Sequence, residues 1–367
     1  MQDGGQLTGE GAKGGENRVS APFEDKGFCA AIDSGKTKRL SAHHVADLCS
    51  FIGESTLAWI DYVVDDFEKE AASVATSLGF SEVLLKSLLA NPTGGYEDFE
   101  TEMGILLPAI YIEGFDVKID QLVVMIRHGL VVTLHTKEVK RFFRVRRYAE
   151  TLLRKIPQKI ALSDKMTLLL IRIIDENNSR NFDYLRGIEE KGDMLSKKLA
   201  DSGISRIDLG KDIYEMKHAL IVYLGGLWSS VDTLNTLRFG DAELLTDDSK
   251  ILNRITALIG EVNSHIGLAE HLSEVLASGL EVLQSIYNNQ LQVLNNRMAL
   301  LVAYLTIIGT AILVPNTIAT VAGNPMFNFS SADIYWYIPL IVVSTILATV
   351  ASWWAVKRLG LLPKSPE

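Results

Sequence analysis

Two hydrophobic periods alternate along the first half of this chain, and near its C-terminus polar residues almost vanish. Beyond a stretch to about Leu48 that shows no clear pattern, "TLAWIDYVV" reads as a strand, and "DFEKEAASVATSLGF" after it reads as an amphipathic helix opened by acidic residues. "NPTGGYEDFE" reads as a turn or loop. The runs "GILLPAIYIEGF", "IDQLVVMIRHG" and "LVVTLHT" read as strands broken by glycine or charge, with His128-Gly129 as a hairpin turn. The pattern therefore predicts a flexible tail and unassigned segment over residues 1–48 and an α/β domain over 49–157. A helical region follows over 158–247, with patterns from Ser163 to Leu199 and from Leu209 to Leu237.

From Asp248 no breaker interrupts the helical spacing of Ile251, Ile255, Leu258, Val262, Ile266, Leu276 and Leu283. A stalk helix over 248–297 is therefore expected to run without a break into an uncharged stretch over 298–322, long enough to cross a bilayer. At about 1.5 Å per residue such a rod approaches roughly 100 Å and must pack on other helices, for which further copies of the chain are the natural source. An external loop over 323–333 leads to a second span over 334–357, which carries Tyr335, Trp336, Tyr337, Trp353 and Trp354 near its ends. That is the aromatic-belt pattern of a membrane helix. The last stretch, 358–367, reads as a tail.

Composition refines this picture. The 367 residues carry a net charge of -9 and are 47% hydrophobic, averages that mix an acidic soluble part with an apolar end. Such a balance points to no nucleic-acid partner and, with the two spans, to the lipid bilayer. The start, "MQDGGQLTGEGAKGGENRVS", lacks the apolar core of a signal peptide. Arg297 precedes the first span and Lys357, Arg358 and Lys364 follow the second, whereas the loop holds Asp333 and no basic residue. The positive-inside rule puts both termini and the large domain in the cytoplasm, with the protein multi-pass in the cell (inner) membrane. Cys29 and Cys49 are too few for a disulfide framework or a zinc site.

Several candidate sites dissolve on inspection. "GEGAKG", Gly9 to Gly14, has dinucleotide spacing but no preceding strand, so it reads as a linker. His43-His44 and the pair His265 and His271 read as surface or interface histidines rather than ligands. Asn328-Phe329-Ser330 is a glycosylation sequon hard against the membrane, and is expected to stay unmodified. Asp175, Glu176, Asp183, Glu189 and Glu190 are interleaved with arginines as on a solvated face. Glu261, Glu270, Glu274 and Glu281 on the rod have less basic company and could attract cations. No catalytic set stands out, so no enzymatic activity is expected.

The first span is different. Thr306, Thr310, Leu313, Asn316 or Thr317, Thr320 and Asn324 recur at steps of three or four, which marks one helix face. Threonines can satisfy backbone carbonyls and Gly309 can allow close packing without any pore. An amide inside a bilayer, however, must face protein or water, so Asn316 favours a pore-lining stripe. Two spans cannot enclose a pore, so the stripe requires an oligomer.

This order of parts resembles the CorA family of magnesium transport channels. The resemblance covers nearly the whole chain after the tail, and rests most on "YLTIIGTAILVPNTIATVAGNPMFNF", which looks like the family's stalk-to-pore helix, and on "WIDYV" at Trp59. It implies an α+β cytosolic domain, long helices and a C-terminal transmembrane hairpin in a funnel-shaped homopentamer, gated by the cytosolic domain and passing divalent cations, Mg²⁺ first. The family signature is Gly-Met-Asn, usually after Tyr, whereas here Gly323 is followed by Asn324 and Pro325. The resemblance then implies that Asn324, one position early, supplies the metal-facing amide ring, with Asn328 the other candidate. Five copies of Asn316, Thr320 and Asn324 would share an axis.

The implied cargo agrees with the residues. Mg²⁺ dehydrates reluctantly and prefers oxygen, and the stripe has amides and hydroxyls but no thiolate or imidazole. No cofactor is expected beyond the transported ion, which the family also uses as a regulator; no residue here is assigned to sensing it. Two rival readings are a transporter of Co²⁺, Ni²⁺ or Zn²⁺ on the same fold and a membrane-anchored scaffold or sensor that transports nothing.

Overall fold

The structure is a computed structural model that describes residues 25–33, 35–53, 55–91, 94–113, 116–199, 206–240, 242–324, 330 and 333–358. The Gly9 to Gly14 stretch, Pro325, Asn328 and the tail after Arg358 lie outside these residues. The chain divides into two compact units, Met1–Gly279 and Leu280–Glu367.

The first unit is built on a seven-stranded sheet. Its strands are β1 (Gly27–Asp33), β2 (Lys36–Ala42), β3 (Leu57–Val63), β4 (Gly95–Asp98), β5 (Glu102–Glu113), β6 (Asp116–Arg127) and β7 (Leu130–His135), in spatial order β2-β1-β3-β7-β6-β5-β4. The two central strands, β3 and β7, pair in parallel, and the neighbours on either side are antiparallel. Every residue of β3 and β7 is buried, the burial on both faces that a parallel centre imposes. Between β6 and β7, Gly129 adopts φ 75°, so the His128-Gly129 turn closes the predicted hairpin with the residue type that this backbone favours.

Alternation along β3 sends Ile60 and Tyr62 to one face of the sheet and Trp59 and Asp61 to the other. Ile60 and Tyr62 join a core with Leu48 of α1 (Val45–Ile52), Val74 of α2 (Ala72–Ser77) and Leu84, Leu85 and Leu88 of α3 (Glu82–Ala90). Across the sheet lie α4 (Arg141–Arg154), α5 (Leu162–Asn178) and α7 (Arg206–Phe239), with α6 (Asn181–Leu199) against α7. Gly226 lets α7 approach β5 and β6, because a Cβ there would come within 2.9 Å of Ile110 Cδ1. The unit ends in the first part of α8 (Ser249–Ala322).

On the α4 face, Asp61 forms a fully buried polar centre. It accepts from Arg146 Nε at 2.6 Å and Thr133 Oγ1 at 2.6 Å, and faces His135 Nε2 at 3.1 Å. The Trp59 indole donates to Thr133 at 3.2 Å, and Arg146 also donates to the carbonyls of Asp25 and Lys26. Burial alone would raise the Asp61 carboxyl, but His135 and Arg146 outweigh it and hold the group well below the usual carboxylate range. A charge taken out of water persists only when so paired.

Four expectations are corrected. The domain begins at Gly27 rather than near residue 49, because β1 and β2 lie within the stretch to Leu48. The β1 sequence GFCAAID is small and buried without alternation, and β2 is a lysine-rich edge, so neither shows a period-two pattern. "NPTGGYEDFE" contains the edge strand β4. The helix expected over "DFEKEAASVATSLGF" is a wide π-type turn over Phe67–Ala71 followed by the short α2. The helix expected from Ser163 to Leu199 is broken at Ser179-Arg180 into α5 and α6.

Candidate pore face of the membrane hairpin

The second unit contains the rest of α8 and α9 (Ile334–Arg358), both apolar and long enough to cross a membrane. The two helices meet along one line of each. On α9, Tyr337, Ile341, Ser344, Thr345, Ala348, Thr349, Ser352 and Ala355 are half-buried, and Val356 is buried. Small and hydroxyl residues let helix backbones come close where lipid offers no hydrophobic drive. The hydroxyls of Ser344, Thr345 and Thr349 donate back to carbonyls of their own helix, so none is left unsatisfied in this line.

On α8 the matching line is Leu300, Ala303, Ile307, Thr310, Ala311, Val314 and Ile318, with Ala303 fully buried. At about 100° per residue, Asn316 lies roughly 200° round the helix from Val314. Asn316 is accordingly exposed, and its side-chain amide makes no hydrogen bond among the described residues. Gly309 and Ile312 share that side, and Leu313, Thr320, Thr306 and Asn324 flank it, all exposed.

The predicted stripe is thereby split. Thr310 turns toward α9, where Ser352 Oγ lies 3.5 Å from its hydroxyl. Thr317 borders a recess lined by Trp336, Tyr337 and Leu340. Of the alternatives Asn316 or Thr317, it is Asn316 that points away from its own hairpin. The sequence carries a signal for this choice in α9, whose small residues recur at helical spacing and mark the side that packs on α8.

Every threonine of the first span donates its proton to the carbonyl four residues back: Thr306 to Val302 at 2.8 Å, Thr310 to Thr306 at 2.7 Å, Thr317 to Leu313 at 2.8 Å and Thr320 to Asn316 at 2.7 Å. This satisfies the hydroxyls without any pore. It also leaves Thr306 and Thr320 presenting only lone pairs outward, which suits the protons of water around a cation or the cation itself. Pro315 has no N–H for the Ala311 carbonyl, which frees one more acceptor.

At the C-terminal end of α8, the Gly323 N–H reaches the Ala319 carbonyl at 2.9 Å and the Asn324 N–H reaches the Val321 carbonyl at 3.2 Å. Gly323 does not enter the left-handed region, so it does not end the helix by the conformation special to glycine. Asn324 instead precedes a proline, which disfavours helical backbone at the residue before it. Asp333 accepts from the Ser330 N–H at 2.7 Å and the Trp336 indole at 3.1 Å. These bonds hold its carboxyl below the ordinary value and start α9. At the other end, Lys357 and Arg358 lie over Trp353 and Trp354 at 5.1 and 4.9 Å, basic–aromatic pairs suited to a membrane interface.

The other candidates do not converge. Among the described residues, no group of three or more His, Cys, Asp or Glu side chains could hold a metal. His43 pairs with Asp25 at 2.9 Å, His265 is buried beside the Phe182 ring, and His271 is exposed. Cys29 and Cys49 are free, and burial pushes the Cys29 thiol up to about 12. Glu261, Glu270, Glu274 and Glu281 stay exposed. Arg172–Asp175 and Arg186–Glu190 form exposed ion pairs on helix surfaces.

The chain thus combines an α/β domain, a long helix and two C-terminal helices apolar and long enough to cross a membrane, the architecture of a two-span membrane protein. The sequence profile of CorA-like Mg²⁺ transporter proteins matches residues 54–358, and the chain belongs to this family. The fold is similar to the complete CorA magnesium transporter from Methanocaldococcus jannaschii at TM-score 0.66 and 19% identity, covering 91% of this chain and 98% of that one. It is also similar to the soluble domain of that protein, at TM-score 0.54 and 20% identity, over 70% of this chain and 96% of that one. Full-length CmaX matches at TM-score 0.58 and 17% identity, over 92% and 98%. Likeness at these identities speaks for the fold. No curated protein matches the sequence.

Proposed function

We propose that five copies of this chain form a channel or transporter that admits Mg²⁺ across the cell (inner) membrane into the cytoplasm, gated by the α/β domain. The observation that carries this reading is the position of Asn316. Packing of α8 on α9 uses the side roughly opposite this amide, so a polar group within an uncharged span faces away from its own chain. In lipid it would be unsatisfied; around a shared, wet axis it would be solvated.

The unpartnered apolar surface supports association. Tyr214, Ile221 and Trp228 recur every seven residues on α7 and are all more than half exposed. Further along, Leu294, Met298, Leu301 and Leu305 of α8 are exposed as well. In the assembly, rings of Thr306, Asn316 and Thr320 would offer oxygens to the water shell of a passing cation, separated by apolar rings including Leu313. Gly323 and Asn324 would stand at the outer mouth, where an Asn324 ring would receive the hydrated ion. Asp333 is held as a cap, so its copies would add attraction at a distance rather than a binding ring. The basic residues Arg297, Lys357 and Arg358 against the acidic loop support cytoplasmic termini. This function involves no covalent chemistry and no cofactor besides the ion carried.

The test is flux into liposomes containing the purified protein, with Mg²⁺, Co²⁺, Ni²⁺ and Zn²⁺ compared. Fastest entry of Mg²⁺ supports the proposal. Preference for another ion would assign the altered Gly-Asn-Pro end a different selectivity, and no flux of any ion would leave an anchored scaffold.

A further inference from the structure

The first unit holds a cavity of about 580 Å³ that the transport reading does not use. It opens at the start of α4, and its walls carry Lys137, Lys140, Arg141, Arg144 and Arg180 against one carboxylate, Glu138. This concentration of positive charge stands out in a chain of net charge -9. Like charges brought together repel, and an anion placed among them turns that repulsion into attraction.

The residues are not equivalent. Arg144 is already paired with Glu176 at 3.1 Å. Lys137, Lys140 and Arg180 are exposed and make no ion pair among the described residues. Arg141 is only 7% exposed, yet its guanidinium donates to the backbone carbonyls of Asn177 and Ile110 and meets no carboxylate among the described residues. Burial accordingly pulls it below its ordinary value. Carbonyl dipoles orient this guanidinium, and Glu176, which acts on it only through space, is already held by Arg144 and Tyr148, so the buried charge is only partly compensated, which is costly. The N-terminus of α4, a 14-residue helix, has no side-chain cap at Lys140 and adds the positive end of its dipole to the same place. Cavity, buried arginine and helix end are three features that one anion would satisfy together.

The volume is within the range of about 300–1,000 Å³ that small-molecule sites occupy, and well beyond what a single phosphate fills. Three cations that make no ion pair among the described residues, in addition to Arg141, match a chain of phosphates better than one. Tyr111 and Tyr184 also line the cavity and give it aromatic surface beside the charges. We propose that this cavity binds a polyphosphate, supplied either as a nucleoside triphosphate or as an inorganic chain.

Calorimetric titration of the full-length protein in detergent would test this, with ATP, inorganic tripolyphosphate and orthophosphate as probes. Excess EDTA throughout keeps metal chelation by the probes from contributing. Wild type should bind ATP or tripolyphosphate at least tenfold more tightly than orthophosphate, and Lys137→Glu/Arg180→Glu should weaken that binding at least tenfold. Both positions are exposed, so the variant should melt like wild type in a thermal scan without probe. Tighter binding of ATP than of tripolyphosphate would identify the nucleotide as the source, and the reverse order the inorganic chain. The proposal is overturned if neither probe binds below about 1 mM. It is equally overturned if the folded charge-reversed variant binds within twofold of wild type. The readout is independent of ion flux, so it stands or falls apart from the transport reading.

Discussion

Replacing Asn316 by leucine should close the path without unfolding the protein. With Thr310 against Ser352 and Thr317 beside α9, the polar side chains left on the open side of the span between its ends are Thr306, Asn316 and Thr320. At about 1.5 Å per residue, Thr306 and Thr320 are roughly 21 Å apart along the axis, and Asn316 divides that length into about 15 Å and about 6 Å. Between them the open side presents Gly309, Ile312 and Leu313, the last two 64% and 65% exposed. Asn316→Leu therefore leaves roughly 21 Å of continuous apolar lining, long enough to favour dewetting. A hydrogen bond from an ion's water shell to an amide is worth about 1.5–3 kcal/mol. Loss of even one such bond, net, per passage slows flux roughly 10- to 100-fold, since about 1.4 kcal/mol is a factor of ten. Thr317→Val, one residue on but turned to α9, should change flux less than about twofold by the same reasoning. Mg²⁺ entry into liposomes measures both variants, after native mass spectrometry has checked assembly. Wild-type flux in assembled Asn316→Leu, or a larger loss in Thr317→Val, would refute the placement of the open side.

Native mass spectrometry in detergent should give five chains as the dominant species, and a monomer or dimer would remove the shared axis. Asn324→Ala should abolish Mg²⁺ flux and block by a substitution-inert hexammine cation, while Asn328→Ala keeps both; the opposite result puts the outer ring on Asn328. Asp61→Asn should leave the buried Arg146 uncompensated, at a cost of about 3–5 kcal/mol, lowering the melting temperature of the full-length protein by roughly 10 °C. A shift under about 2 °C would mean that backbone carbonyls alone satisfy Arg146. Because the folded Asp61 is held below its unfolded value, its contribution is full above about pH 4 and is lost as pH falls from there through the folded pKa. The gap between wild type and Asp61→Asn should narrow in that direction, and a gap that widens on acidification would contradict the sign.

The membrane part was legible in the sequence because hydrocarbon thickness sets a length and excludes charge, a one-dimensional rule that Met298 to Ala322 and Ile334 to Val356 obey without reference to anything else. The continuous run of α8 followed from the absence of a breaker after Asp248, and β5, β6 and β7 from apolar runs with glycine or charge at their ends. The strands β1 and β2 were not legible: Cys29, Ala30 and Ala31 are buried on both sides, and Lys36, Lys38 and Arg39 line an edge, so neither segment alternates. β1 lies between β2 and β3, and β2 is the edge strand paired with β1, so pairing rather than a local hydrophobic period makes them strands. The same limit applied to the stripe. Residue spacing grouped Thr310 and Thr317 with Asn316, but a helix has no inside until something packs on it. Contact with α9 turned Thr310 inward, put Thr317 at the edge of a recess beside α9 and left Asn316 on the open side. The basic cavity depends on the same kind of meeting, since Lys137 and Arg144 are near in sequence but Arg180 joins them only because α5 and α6 break at Ser179-Arg180 beside the start of α4.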